Sequence, residues 1–195
     1  ETKQRSYMPI QIGTKLDHSF NNPIGLLTDC HRRIKRFLMM MITVMRQTHG
    51  GPLQTSQQTA LELALRYFRE AAPKHALDEE ATLFPRMRPL CVMDNSIKSL
   101  NHLEIEHEIA DENHQTVEQL SKKWLLEGEL CFEDTCELSA ALGRLSVLYK
   151  KHIHVEEGII FPLASKILSP AQVKEVGREM AMRRNIDPAM LTNLS

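Results

Sequence analysis

A seven-residue segment and the Phe-Pro that follows it occur twice in this chain, and the repeat limits what the chain can fold into. Lys74-His75-Ala76-Leu77-Asp78-Glu79-Glu80, leading to Phe84-Pro85, is echoed by Lys151-His152-Ile153-His154-Val155-Glu156-Glu157, leading to Phe161-Pro162. Lys, His, the Glu-Glu pair, Phe and Pro all stay in register. On a helix, residues four apart stand one turn apart on one face, so each copy aims an imidazole and a carboxylate at the same place. A lone His sits at a matching distance before each copy: His31 before His75, and His107 before His152. The chain reads as a duplicated helix pair related by an approximate two-fold axis.

The rest of the sequence supports a helical frame for this repeat. Asn22-Pro23 has the form of an N-cap followed by proline at the first helical position, and the apolar run it opens stops at Gly50-Gly51-Pro52. A second run starts near Ser56 and passes through His75 to Pro85–Pro89, with a kink expected at Pro73, where a backbone donor is missing. A third run spans about Ser96 to Glu127 and a fourth about Glu133 to Ala164. Ser169-Pro170-Ala171-Gln172 has the form of a capping box, opening a shorter fifth helix that fades after Arg184. The expected fold is all-α: an up-down-up-down four-helix bundle over 23–164, with an N-terminal arm over 1–22 and a short C-terminal helix and tail over 165–195.

Composition narrows the functions open to such a bundle. The formal charge is −1, with 24 basic and 25 acidic residues interspersed, which provides no footprint for nucleic acid or an anionic membrane. No run approaches the ~18 apolar residues of a membrane span, and the first residues show no charged-then-apolar leader. Four cysteines without Cys-x-x-Cys spacing argue against a disulfide framework and point to reduced thiols and a cytoplasmic location.

Six residues remain to carry chemistry: His31, His75, Glu79, His107, His152 and Glu156. Four imidazoles and two carboxylates suit iron, manganese or zinc, and do not suit the all-oxygen shells of magnesium or calcium. A single tetrahedral zinc would leave donors over. Two metals sharing two bridging carboxylates, with two histidines each, use every donor. For two ferric ions, the carboxylates and an oxide bridge reduce the charge from +6 to +2. Each ion then has five donors and one open position.

These residues and their tails resemble the hemerythrin-like, or HHE cation-binding, domain family over Pro23 to Ala164. The resemblance rests on His31, His75-to-Glu79 with Glu80 and Phe84-Pro85, His107, and His152-to-Glu156 with Glu157 and Phe161-Pro162. It implies a bundle holding two iron ions with a bridging oxide or hydroxide. Oxygen-carrying hemerythrins have a fifth histidine one turn from the third-helix ligand, whereas here Leu103 and Asp111 stand four residues either side of His107. This departure favours redox handling of peroxide, nitric oxide or dioxygen, supplied by an electron donor that the residues do not name, over reversible oxygen carriage. Peroxide or nitric oxide reduction would make the chain an enzyme. The alternative is a non-enzymatic oxygen, redox or iron sensor, or an iron-handling module, that meets a protein partner at the C-terminal helix through Lys174, Arg178, Arg183 and Arg184. Ferritin-like bundles use Glu-x-x-His spacing instead, and the absence of His-Glu-x-x-His weakens a hydrolytic zinc reading.

Several neighbours have two readings. Glu80 and Glu157 project ~100° from the residues before them and read as solvated, or as supports for the ligands. Tyr149, Glu104 and Asp111 are the other candidates for a place around the centre, with packing the plainer role for Tyr149 and ion pairing for Glu104. Met39, Met40, Met41 and Met45 read as core filler, and Cys30 as buried and inert.

Overall fold

The computed structural model describes residues 19–91 and 96–187, and within them it is all-helical, with no strand. Eighteen residues of the expected N-terminal arm lie outside the described residues. The first rod is α1 (Pro23–Thr48), whose Asn22 cap accepts a hydrogen bond from the Gly25 N–H at 3.1 Å. His49 and Gly50 have positive φ (50° and 79°) and reverse the chain; a side chain at position 50 would also collide with the Thr135 hydroxyl.

The second rod is segmented. It comprises α2 (Thr55–Glu70), α3 (Ala72–Asp78), a π-helical turn (Glu79–Leu83), α4 (Phe84–Met87) and a 3-10 turn to Leu90. Pro73 lies in the first turn of α3, so the expected kink takes the form of a helix break at Ala71. The third rod is the unbroken α5 (Ser96–Glu127). The fourth is α6 (Phe132–Val155), a second π turn (Glu156–Ile160) and α7 (Phe161–Ile167). Finally α8 (Pro170–Arg183) opens on the expected capping box: the Gln172 N–H donates to Ser169 Oγ at 3.3 Å and the Ser169 N–H to Gln172 Oε1 at 2.9 Å.

The two π turns are the main local departure from expectation, and both fall at the repeated Glu-Glu. In a regular helix, Pro85 and Pro162 would press their rings on the carbonyls of Ala81 and Gly158 and leave them without a donor. The widened turn relieves this: the Phe84 N–H bonds back to Glu79 O and the Phe161 N–H to Glu156 O, five residues away.

Apolar side chains pack in two separate layers. One contains Ile34, Leu38, Met41, Leu65, Trp124 and Leu145; the other contains Leu27, Phe84, Leu100, Leu103, Phe161 and Met180. His31 lies between Leu27 of one layer and Ile34 of the other, and His107 between Leu103 and Ala110. His31 and His107 thus lie in a polar layer between two hydrophobic ones, each fully buried Leu or Phe of which contributes ~1.5–3 kcal/mol. Met41 and Met45 are core, as expected, but Met39 is half exposed.

Helix α8 closes the second layer. Val176 and Met180 enter it, and Gly177 passes so close to the Phe20 carbonyl that a Cβ there would collide with it. Of the basic residues expected to form a docking face, Arg183 and Arg184 turn inward, while Lys174 and Arg178 stay exposed. Arg183 Nη1 and Arg184 Nη2 (2.6 Å) bind the two oxygens of Asp78, whose side chain is wholly buried. Arg178 pairs with Glu175. The physical reason is neutralisation: a carboxylate taken out of water needs compensating charge.

Candidate metal centre

All six expected residues converge and all are buried; His107, at 8 %, is the most exposed. They form two overlapping groups, His31-His75-Glu79-Glu156 and Glu79-His107-His152-Glu156, and within each group one ligand atom per residue lies within 4.8 Å of the others. Each carboxylate divides its oxygens between the two histidine pairs. Glu79 Oε1 lies 3.5 Å from His75 Nε2 and 3.9 Å from His31 Nε2, while its Oε2 lies 3.4 Å from His107 Nε2. Glu156 Oε2 lies 3.0 Å from His31 Nε2, and its Oε1 3.1 Å from His152 Nε2.

Three of the four nitrogens facing away from the cage are held from behind. His31 Nδ1 donates to Glu157 Oε1 at 2.9 Å, and His107 Nδ1 donates to Glu80 Oε1 at 2.6 Å. The exchange is reciprocal: the carboxylate of each half supports the lone histidine of the other. His152 Nδ1 donates to Glu106 Oε2 at 2.9 Å. With Nδ1 carrying the proton, Nε2 turns a lone pair toward the centre. Phe161, from the repeated Phe-Pro tail, stacks on His31 with ring centroids 5.3 Å apart.

Glu79 Oε1 and Oε2, Glu156 Oε1 and Oε2, His31 Nε2 and His152 Nε2 are all buried without a hydrogen-bond partner. They approach one another but are not aligned as donor and acceptor. Leaving one such group unsatisfied costs roughly 1–3 kcal/mol, and more if it is charged, and a cation at their focus would satisfy all six. The donor set is that of a borderline transition metal, and the cluster is compatible with a metal-binding site.

The side chains of the cage shift one another's titration in opposite directions. Burial and the neighbouring Glu156 push Glu79 well above the usual carboxylate range. Glu156 is equally buried, yet the imidazoles of His152 and His31 hold it below that range. Burial and the nearby His31 push His75 well below the ordinary imidazole value. His107 goes the other way: burial opposes its charge, but the nearby carboxylate of Glu79 and the bond to Glu80 outweigh burial and raise it to about 10.

The other candidates are placed as follows. Glu80 and Glu157 are the supports that the second of their two readings expected. Glu104 pairs with Arg88 at 2.6 Å, the ion-pair role. Asp111 lines a cavity next to His107. Tyr149 is buried, its ring edge-on to His152 at 6.4 Å and its hydroxyl 2.9 Å from His114 Nε2. Glu106 escaped the sequence reading because the repeat conceals it: 76 residues earlier, the step from His107 to His31, stands Cys30. Cys30 is buried and free, its thiol pushed up by burial, consistent with an inert role.

A model of the hemerythrin HHE cation-binding domain matches residues 22–164. The chain belongs to this family. The match takes in every member of the cage. A relative from Haemophilus influenzae, described only as an uncharacterized protein, is 29% identical over 170 residues, covering 86% of this chain and 93% of its own length. Among the described residues of this HHE-domain protein, no helix is long and apolar enough to cross a membrane.

Proposed function

We propose that this protein holds two iron ions bridged by an oxide or hydroxide and uses them to reduce a small oxidant, with peroxide the best fit and nitric oxide or dioxygen the alternatives. The observation that carries this reading is the split of Glu79 and Glu156, each with one oxygen toward His31 and its pair and the other toward His107 and its pair. When bound, such a metal pair supplies two electrons, one from each ion, which is what cleavage of an O–O bond consumes.

The protein's own residues have defined tasks. Glu79 and Glu156 would hold both ions, each offering one oxygen to either side. His31, His75, His107 and His152 complete the two sets, and Glu157, Glu80 and Glu106 fix three of the rings as donors through Nε2. The apolar layers on either side exclude water. The missing fifth histidine leaves both positions with two imidazoles each, which favours reaction over one-sided reversible binding.

The test is metal analysis and an optical spectrum of protein from iron-replete cells, followed by stopped-flow mixing of the reduced form with hydrogen peroxide or nitric oxide. About two irons per chain, oxide-to-iron bands in the near ultraviolet and repeated turnover are expected. Zinc, or a single stoichiometric oxidation, would count against the reading. The sensor alternative draws support from one contact: Arg183 and Arg184 of α8 grip Asp78, the residue before bridging Glu79. A metal-dependent change in α8 without turnover would favour it.

A further inference from the structure

The four imidazoles of the cage also border a cavity of about 340 Å³. Glu79 and Glu156 are not among its walls, so it meets the centre from the histidine side. Its other walls are largely apolar, with Ile34, Phe68, Ala72, Ala76, Ala110 and Ile153 contributed by five helices. The volume is more than twice that of the ~150 Å³ apolar cavity that suffices for benzene, and roughly tenfold a water's share of ~30 Å³. A diatomic molecule or hydrogen peroxide leaves most of it unfilled.

The polar groups on these walls select by charge. The ionisable acids are Glu80, Glu108 and Asp111, and no Lys or Arg lines the cavity. Facing them inside are Tyr149 and His114, 2.9 Å apart. Burial holds His114 neutral, down to about 4, so this pair adds no charge. One hydrogen bond to His114 leaves the Tyr149 oxygen with further hydrogen-bonding capacity. Anions are repelled at the acidic mouth, while an uncharged molecule with one polar end and an apolar body is complemented throughout.

We propose that this cavity binds an uncharged organic hydroperoxide with a compact apolar body, packing that body on Phe68, Ala110 and Ile153 and offering its oxygen end to Tyr149 beside the imidazoles. The proposal rests on the redox reading above and specifies its substrate class. The reaction is ROOH + 2e⁻ + 2H⁺ → ROH + H₂O. The O–O bond breaks, one electron comes from each reduced metal ion, and each oxygen gains one solvent proton. An external one-electron donor restores the metals in two steps.

The test uses the metal-loaded protein and two probes. Calorimetric titration with 2-phenyl-2-propanol, the alcohol formed from cumene hydroperoxide, is expected to show one saturable site per chain, and the anion decanoate none. Steady-state assays should give cumene hydroperoxide a kcat/KM at least about tenfold above that of hydrogen peroxide, the scale of a well-filled apolar pocket. Ala110→Phe should abolish alcohol binding and lower that ratio about tenfold. Ala76→Leu, nearer the surface, repeats the test if the melting temperature shows that Ala110→Phe does not fold. Hydrogen peroxide turnover without alcohol binding, or with cumene hydroperoxide the poorer substrate, overturns the assignment and leaves the redox reading standing. Alcohol binding with neither peroxide reduced overturns the redox reading and retains the cavity as a site for uncharged apolar ligands.

Discussion

Glu106 and Cys30 hold equivalent places in the two halves of the bundle, each just before its lone histidine, yet only Glu106 reaches a cage imidazole, accepting from His152 Nδ1 at 2.9 Å. The counterpart of His152 is His75, whose Nδ1 is buried with no hydrogen-bond partner. The two-fold repeat therefore builds two unequal positions. Both rings are supported on the His107–His152 side, but only His31 on the other.

Metal should leave the two positions at different rates. Support of this kind is worth ~10–100-fold in affinity, so a chelator should remove metal in two phases, the faster from the His31–His75 side. Glu106→Gln should bring the phases together. Metal content followed against time by mass spectrometry provides the check, and a single phase in the unaltered protein would contradict the asymmetry.

The supporting carboxylates should weaken binding without abolishing it. Sequence alone leads one to expect Glu80→Ala to leave metal content intact, but the 2.6 Å bond to His107 changes that. Glu80→Gln and Glu157→Gln should each reduce affinity by ~10–100-fold while filling at excess metal. Glu79→Ala and Glu156→Ala should fail to hold a pair at any concentration. Competitive metal titrations separate the two classes.

Stability of the chelator-treated protein should peak near neutral pH. His107 is raised to about 10, so its contribution is complete below the unfolded imidazole value of about 6.5 and is lost as pH climbs through 10. His114 is lowered to about 4, so its contribution is complete above about 6.5 and is lost as pH falls through 4. Melting temperatures across this range should show the dome. With metal bound, His107 is neutral, and the alkaline decline should shrink.

Asp78 should be the most sensitive position outside the cage. Burial pushes its carboxyl up against the opposing pull of Arg184 and Arg183, so the cluster is held together at a desolvation cost. Asp78→Ala strands two partly exposed guanidiniums and should destabilise by about 3 kcal/mol, the low end for a broken buried pair. Denaturant melts measure this. Metal content should fall as well, because the next residue is Glu79.

Gly177→Ala tests the seat of α8. The added methyl meets the Phe20 carbonyl, a backbone atom that cannot rotate away. A loss of about 2 kcal/mol is expected, typical of overpacking. Hydrogen exchange should show α8 opening before the four rods.

Much of this architecture is legible in the residues because its signals are periodic. Two copies of His-x-x-x-Glu and two lone histidines mark the cage, and Asn22-Pro23 and Ser169-Pro170 mark helix starts. What escaped depends on contacts across the bundle. Glu106 follows no repeat, and its partner His152 lies 46 residues away. The inward turn of Arg183 and Arg184 depends on Asp78, more than a hundred residues earlier, a pairing that no local spacing encodes. The π turns had a local sign, Phe-Pro within an apolar helical run, whose meaning emerges only when the carbonyl four residues back is considered.

Those widened turns set the rotational phase of two rods just below the cage. Rewinding Glu79–Leu83 or Glu156–Ile160 as ordinary helix without removing a residue would rotate everything beyond by ~100°. The apolar side chains Phe84 and Met87, or Phe161 and Ala164, would then swing away from the core they fill. Each carboxylate and the hydrophobic lock beneath it are thus geared together: neither can be reset without dislodging the other.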